Sequence, residues 1–188
     1  MKTASKPAKL SIRELTAIAL LSTVMALTAQ IYVPLPPIPF TLQTLGVLSC
    51  ALLLPRRQAV YALAVYLLLG LVGLPVFAGG RAGLGVLAGP SGGFLYGFLP
   101  AVGLAASLLK QGAATPLPRV YLAGFLLMPC YFAIGTLHCA LVLQIGLGQA
   151  FAVAAAPFLL IDALKIAVFT PLVWKLRRLL HRQIAGMF

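Results

Sequence analysis

Pro157-Phe-Leu-Leu-Ile-Asp162-Ala-Leu-Lys165-Ile-Ala-Val-Phe169-Thr-Pro171 is an apolar segment with one acid and one base at its centre. Such a stretch belongs in lipid or in a deep core, where a charge needs a partner or a purpose. Asp162 is one of only two acidic residues in the chain; the other, Glu14, stands at the start of the first apolar run. Residues three apart on a helix share a face, so Asp162 and Lys165 point the same way, with Phe158 one turn above and Phe169 one turn below. The segment predicts a helix carrying a polar pair framed by aromatic rings.

The rest of the chain is of the same kind. Its 188 residues are 62% hydrophobic and 9% charged, with a mean hydropathy of +1.06, whereas soluble domains carry about a quarter charged residues. The reading is an all-α integral membrane protein. The formal net charge of +12 does not indicate nucleic acid, because the bases sit at the ends of apolar runs and not on a solvated surface. The first apolar run, from about Ile12 to Tyr32, is of spanning length and has no small-residue cleavage pattern, so it reads as a membrane helix and not as a cleaved signal. Cys50, Cys130 and Cys139 lie in apolar segments without metal-ligand spacing and read as small buried hydrophobes.

Six spans are expected, at about residues 12–32, 40–54, 58–73, 92–109, 120–145 and 149–174, in a single membrane domain over 1–188 that follows a solvated tail at about 1–11. Segments 2 and 3 are short for a hydrocarbon core of roughly 30 Å. Arg56 and Arg57 between them still argue for two spans, because a single re-entrant loop would bury two guanidiniums at about 2.5–3.5 kcal/mol each. Val33-Pro-Leu-Pro-Pro-Ile-Pro-Phe40 is a semi-rigid, non-helical loop. The connection Leu74 to Gly93 is glycine-rich, with Ser91 as the expected N-cap of helix 4. Its Gly83-x-Gly85-x-x-x-Gly89 lacks both a preceding strand and a P-loop lysine, which argues against a nucleotide site. With six spans, every Lys and Arg except Arg81 and Lys165 falls on one side, so both termini are expected in the cytoplasm and Arg81 outside, in a cell-membrane protein. Trp174, Lys175, Arg177, Arg178 and Arg182 read as an interfacial anchor. Ala19, Ser22, Thr23 and Ala26 give helix 1 a small-residue face that suits either internal packing or docking of a partner membrane protein.

An unpaired Asp162 and Lys165 inside a span would cost about 2.5–3.5 kcal/mol each, which makes them a ligand site or, alternatively, internal glue. Gln43, Thr44, Tyr66, Tyr96 and His138 are further polar candidates, His138 reading as a satisfied interhelical hydrogen bond. No nucleophile-base set, metal cluster or carboxylate pair can be assembled, so an enzyme is not expected; nor is an ion channel, since there is no ring of charges and no filter sequence.

Pro39-Phe-Thr-Leu-Gln43-Thr-Leu-Gly46, Gly73-Leu-Pro-Val-Phe77-Ala-Gly-Gly, Gly83-Leu-Gly, Gly89-Pro-Ser-Gly-Gly93-Phe, Gly97-Phe and Asp162-Ala-Leu-Lys165 occur in this order along the chain. Together they resemble the BioY family, the biotin-binding substrate (S) components of energy-coupling factor (ECF) transporters. The resemblance implies a six-helix S-component bundle that captures biotin from outside, with no cofactor of its own. It implies a transmembrane coupling subunit and two cytoplasmic ATPases as partners, the ATP being used only by the latter; some members are thought to work alone. A homo-oligomer and an accessory subunit without a small ligand stand as alternatives. A ureido ring offers N–H donors and a carbonyl acceptor that a carboxylate beside an ammonium can match, so the implied ligand set is Asp162 and Lys165 with Gln43, Phe77, Gly79, Gly80, Tyr96, Phe158 and Phe169. Arg81 or helix-4 amides would take the ligand's carboxylate, with Lys165 as the other assignment. The chain departs from the family pattern in having only mixed small-x-x-x-small steps on helix 1, and in carrying Arg81 and Ser91 in the glycine loop.

Overall fold

In the computed structural model, which describes residues 10–109 and 115–184, the first helix is launched by the second acid of the chain. Ser11 caps α1 (Ile12–Gln30) through a capping box, its hydroxyl accepting from the Glu14 amide while the Glu14 carboxylate accepts from the Ser11 amide. The same carboxylate takes a hydrogen bond from Gln58 on α3. Glu14 thus ties together two helix starts. The proline loop that follows is held as a hairpin, with Tyr32–Val33 pairing antiparallel to Phe40–Thr41. Its four prolines rule out helix, and the short ladder on either side was not legible in the sequence.

The remaining helices among the described residues are α2 (Gln43–Leu53), α3 (Arg56–Leu71), α4 (Leu84–Ala88), α5 (Gly92–Ser107), α6 (Leu117–Leu143), α7 (Leu147–Ala154) and α8 (Ala156–Ile184). At 11 residues α2 is about 16 Å long, and it packs against α1, α3, α5, α6 and α8. Nine of its residues are buried, so it is the axis about which the others stand. The tightest seam joins α5 to α6. Gly93 lies against Gly135 and His138, and Gly135 in turn lies against the ring of Phe94, so the backbones approach more closely than side chains would allow.

Outside, the surface is apolar. Leu20 and Leu27 of α1, Leu122, Leu137 and Leu141 of α6, and Leu160, Leu164, Val168 and Leu172 of α8 all point away from the bundle. Patches of that size belong in lipid. α1, α6 and α8 are each long and apolar enough to cross a membrane, and α2 and α5 are apolar but shorter. The protein is a mostly helical membrane protein.

Several details depart from the sequence reading. The helix expected from about Gln149 to Trp174 is broken at Ala155 into α7 and α8, and α8 runs on to Ile184. The break coincides with Ala156-Pro157, and proline in the first turn of α8 is the signal that marks it. Ser91 occupies the N-cap position of α5, but its side chain makes no capping bond because its backbone is already helical. The glycine-rich connection contains the short helix α4 and a 3-10 turn at Ala78–Gly80. Ser22 is not on an outer face of α1: it is buried and donates to Ala62 O of α3 at 2.7 Å, which leaves Ala19 and Thr23 exposed and Ala26 packed partly against the core. Arg177 is no surface anchor either; it is buried and donates to Leu52 O in the last turn of α2, where a cation offsets the exposed carbonyl end. Trp174 donates to Thr115 O at 3.0 Å, and Arg178 stacks on its ring. The tail up to Lys9, Lys110, Gln111 and the Arg182 side chain lie outside the described residues.

Candidate functional site

Asp162 and Lys165 open onto a cavity at the end of the bundle where α8 begins. Its inner volume is about 80 Å³, below the range of roughly 300–1,000 Å³ usual for small-molecule sites, so a ligand would also occupy its open mouth. Its walls are aromatic, being Phe40 from the hairpin, Phe77 from the glycine loop, Phe94 and Phe98 from α5, Tyr131 and Phe132 from α6, and Phe158 from α8. Tyr131 and Phe132 both line it, with Phe98 and Phe94 of α5 as their respective ring neighbours.

The polar end is a network. Lys165 Nζ sits 2.8 Å from Asp162 Oδ1, donates to Thr41 O at 2.7 Å and lies 4.1 Å above the centre of the Phe40 ring. Asp162 Oδ1 also accepts from the Thr44 hydroxyl at 3.2 Å, and Oδ2 accepts from Tyr131 at 2.8 Å. Asp162 is 7% exposed, and its carboxylate oxygens accept from three donors, one of them cationic. Oδ2 has capacity for a second donor. Beside this network Gln43 is buried, and its Nε2 has no hydrogen-bond partner among the described residues. A buried amide N–H in a cavity wall calls for an acceptor. Arg81 lines the same cavity but is exposed, its Nε donating to Ala78 O at 3.0 Å.

Of the residues singled out in the sequence, Asp162, Lys165, Arg81, Gln43, Phe77 and Phe158 therefore share one cavity. Gly79 and Gly80 do not line it; both have positive φ and shape the turn that leads to Arg81. Tyr96 is on the opposite face of α5, where its hydroxyl meets His138 Nδ1 at 2.5 Å while His138 Nε2 meets Gly89 O at 3.0 Å. Phe169 lies lower on α8 against the core, because the buried stripe turns from Lys165 to Ile166 and Thr170. Tyr131 was missed as a ligand of Asp162. It sits in an unbroken apolar run 31 residues away, and only its polar tip could have marked it.

The BioY family profile matches residues 1–182. The chain belongs to the BioY family. It is 37% identical to the biotin transporter BioY2 of Lactococcus lactis over 158 residues, covering 83% of this chain and 85% of that one. It is 33% identical to the biotin transporter BioY of Thermotoga maritima, over 89% and 97% of the two chains. The fold matches a crystal structure of the S-component for biotin from an ECF-type ABC transporter with a TM-score of 0.77 and 24% identity, over 91% of this chain and 95% of that one. BioY proteins are transporters and not enzymes, as the residues had indicated.

Proposed function

We propose that the chain captures biotin in this cavity and serves biotin uptake, as the curated relatives do. The observation that carries the reading is the open Gln43 Nε2 beside the spare acceptor capacity of Asp162 Oδ2, within aromatic walls. A ureido carbonyl would accept from Gln43 while a ureido N–H donates to Asp162. Two of the three N–H donors of Lys165 are engaged within the bundle, to Asp162 and Thr41, and its ammonium stands over Phe40, so Lys165 holds Asp162 in place. Arg81 is the group left to receive the carboxylate, through the terminal nitrogens of its guanidinium. The aromatic walls suit the bicyclic ring and the valeryl chain.

The purified protein is expected to bind biotin saturably in the nanomolar to micromolar range by calorimetry. Absence of saturable binding would remove the vitamin from the proposal and leave the accessory-subunit reading, for which the internally satisfied Asp162–Lys165 pair is the supporting observation.

The proposal extends to topology and partners. Six spans would place the Asp162 cavity outside and both termini in the cytoplasm of a cell-membrane protein, an arrangement the distribution of Lys and Arg supports. A cysteine introduced by Ala82→Cys should then react with a membrane-impermeant maleimide added to intact cells; protection there together with labelling near the C-terminus would reverse the orientation. Ala19 and Thr23, exposed on α1, suit docking of a transmembrane coupling subunit, with ATP hydrolysis left to that partner's ATPases and no cofactor on this chain. Co-purification with ATPases supports the ECF form, and uptake by cells expressing this chain alone supports a solitary transporter.

A further inference from the structure

Arg81 is aimed by a turn that is held from another helix. The turn Ala78–Gly80 begins at Phe77, whose ring is fully buried against Gly70 and edge-on to Tyr66. That end is fixed by packing. The other end leads to Arg81 through two glycines at φ +70° and +69°; it is tied to Phe77 by Gly80 N–H to Phe77 O at 3.1 Å and by Phe77 N–H to Arg81 O at 3.0 Å, while the glycines leave the turn between these bonds adjustable. Across the turn lies Gln30, in the last turn of α1. Its Nε2 donates to Phe77 O at 3.2 Å and its Oε1 accepts from Gly80 N at 3.0 Å. One side-chain amide thus spans the two ends of the turn, as a neighbouring strand would. The Tyr32 ring just beyond α1 covers Gly79. Gln30 is exposed, so the clasp competes with water and can open.

We propose that Gln30 is a positioning residue for the ligand site, a clasp from α1 that sets the direction of Arg81 and through it the grip on the ligand's carboxylate. This rests on the reading of Arg81 given above. It also makes α1, the helix with the exposed small-residue face, the one that holds the carboxylate end of the site.

The test compares biotin with biotin methyl ester, which lacks the anion. Gln30→Met is expected to weaken biotin binding about tenfold, to leave the ester unchanged and to add nothing in an Arg81→Gln background. Gln30→Glu keeps the acceptor for Gly80 N but loses the donor to Phe77 O, and should fall between. In ligand-free protein carrying Ala82→Cys, the introduced thiol should react faster with a hydrophilic maleimide when Gln30→Met is added. Equal weakening of biotin and ester would make Gln30 a general structural residue and overturn the proposal, as would an unchanged labelling rate. If Arg81→Gln weakens biotin while Gln30→Met does not, the clasp alone is wrong. If Arg81→Gln binds biotin as tightly as the parent, the carboxylate assignment fails, and the clasp's role with it.

Discussion

Asp162→Ala is expected to lower biotin affinity by about 100-fold or more and to destabilise the protein at the same time. The carboxylate is the common acceptor for Thr44, Tyr131 and Lys165. Its removal leaves an ammonium that is only 10% exposed without its counter-charge, and breaking such a buried pair costs about 3–5 kcal/mol. Hydrogen bonds to a charged group contribute about 1.5–3 kcal/mol, so the loss of the ligand's own bond to Asp162 accounts for roughly ten- to a hundredfold and the displaced Lys165 for the remainder. Asp162→Asn separates the two effects. It keeps the shape and one acceptor, and should lose affinity with a smaller drop in thermal stability. Calorimetric binding and thermal unfolding of both variants check this. Parent-like affinity in Asp162→Ala would reduce the pair to internal glue.

Gly70→Val is expected to abolish measurable binding without touching a polar group. A side chain at Gly70 would overlap the Phe77 ring itself. That ring is fully buried between α3 and the cavity, so it can yield only toward the ligand space. Overpacking of this kind costs about 1–3 kcal/mol of stability, and here the displaced ring also fills the site. The compensating change is Phe77→Ala. In Gly70→Val/Phe77→Ala the two substitutions should be non-additive, with stability recovering toward that of Phe77→Ala alone. Simple additivity in thermal unfolding would show that the added isopropyl group is accommodated elsewhere.

What could be read from the sequence follows the physical reach of each signal. Asp162 and Lys165 were legible because charge in an apolar run is costly wherever the chain goes, and Phe158 followed from helical spacing alone. Phe169 failed on the same spacing, since the turn of α8 away from the cavity is set by its contacts with α2 and α6. Tyr96 and Tyr131 are alike in sequence, each a tyrosine in an apolar helix. Only the side of the α5–α6 seam on which each falls makes one a partner of His138 and the other a donor to Asp162. Gln43 lay in a recognisable motif, yet its open amide depends on how tightly the neighbours of α2 close around it. The glycine loop could be seen to permit close approach, but not that its turn is braced by Gln30, 50 residues earlier.

The bonds that complete α2 have a bearing on how the molecule is made. Thr44 meets Asp162 across 118 residues, Thr41 meets Lys165 across 124, and Leu52 meets Arg177 across 125. During synthesis the central helix therefore leaves the ribosome long before the helix that supplies its charged partners. A nascent chain that stops short of α8 has most of the aromatic walls and none of the ion pair. α8 carries the acid, the base and the guanidinium that caps the axis, so the site is assembled only once that helix has followed α2.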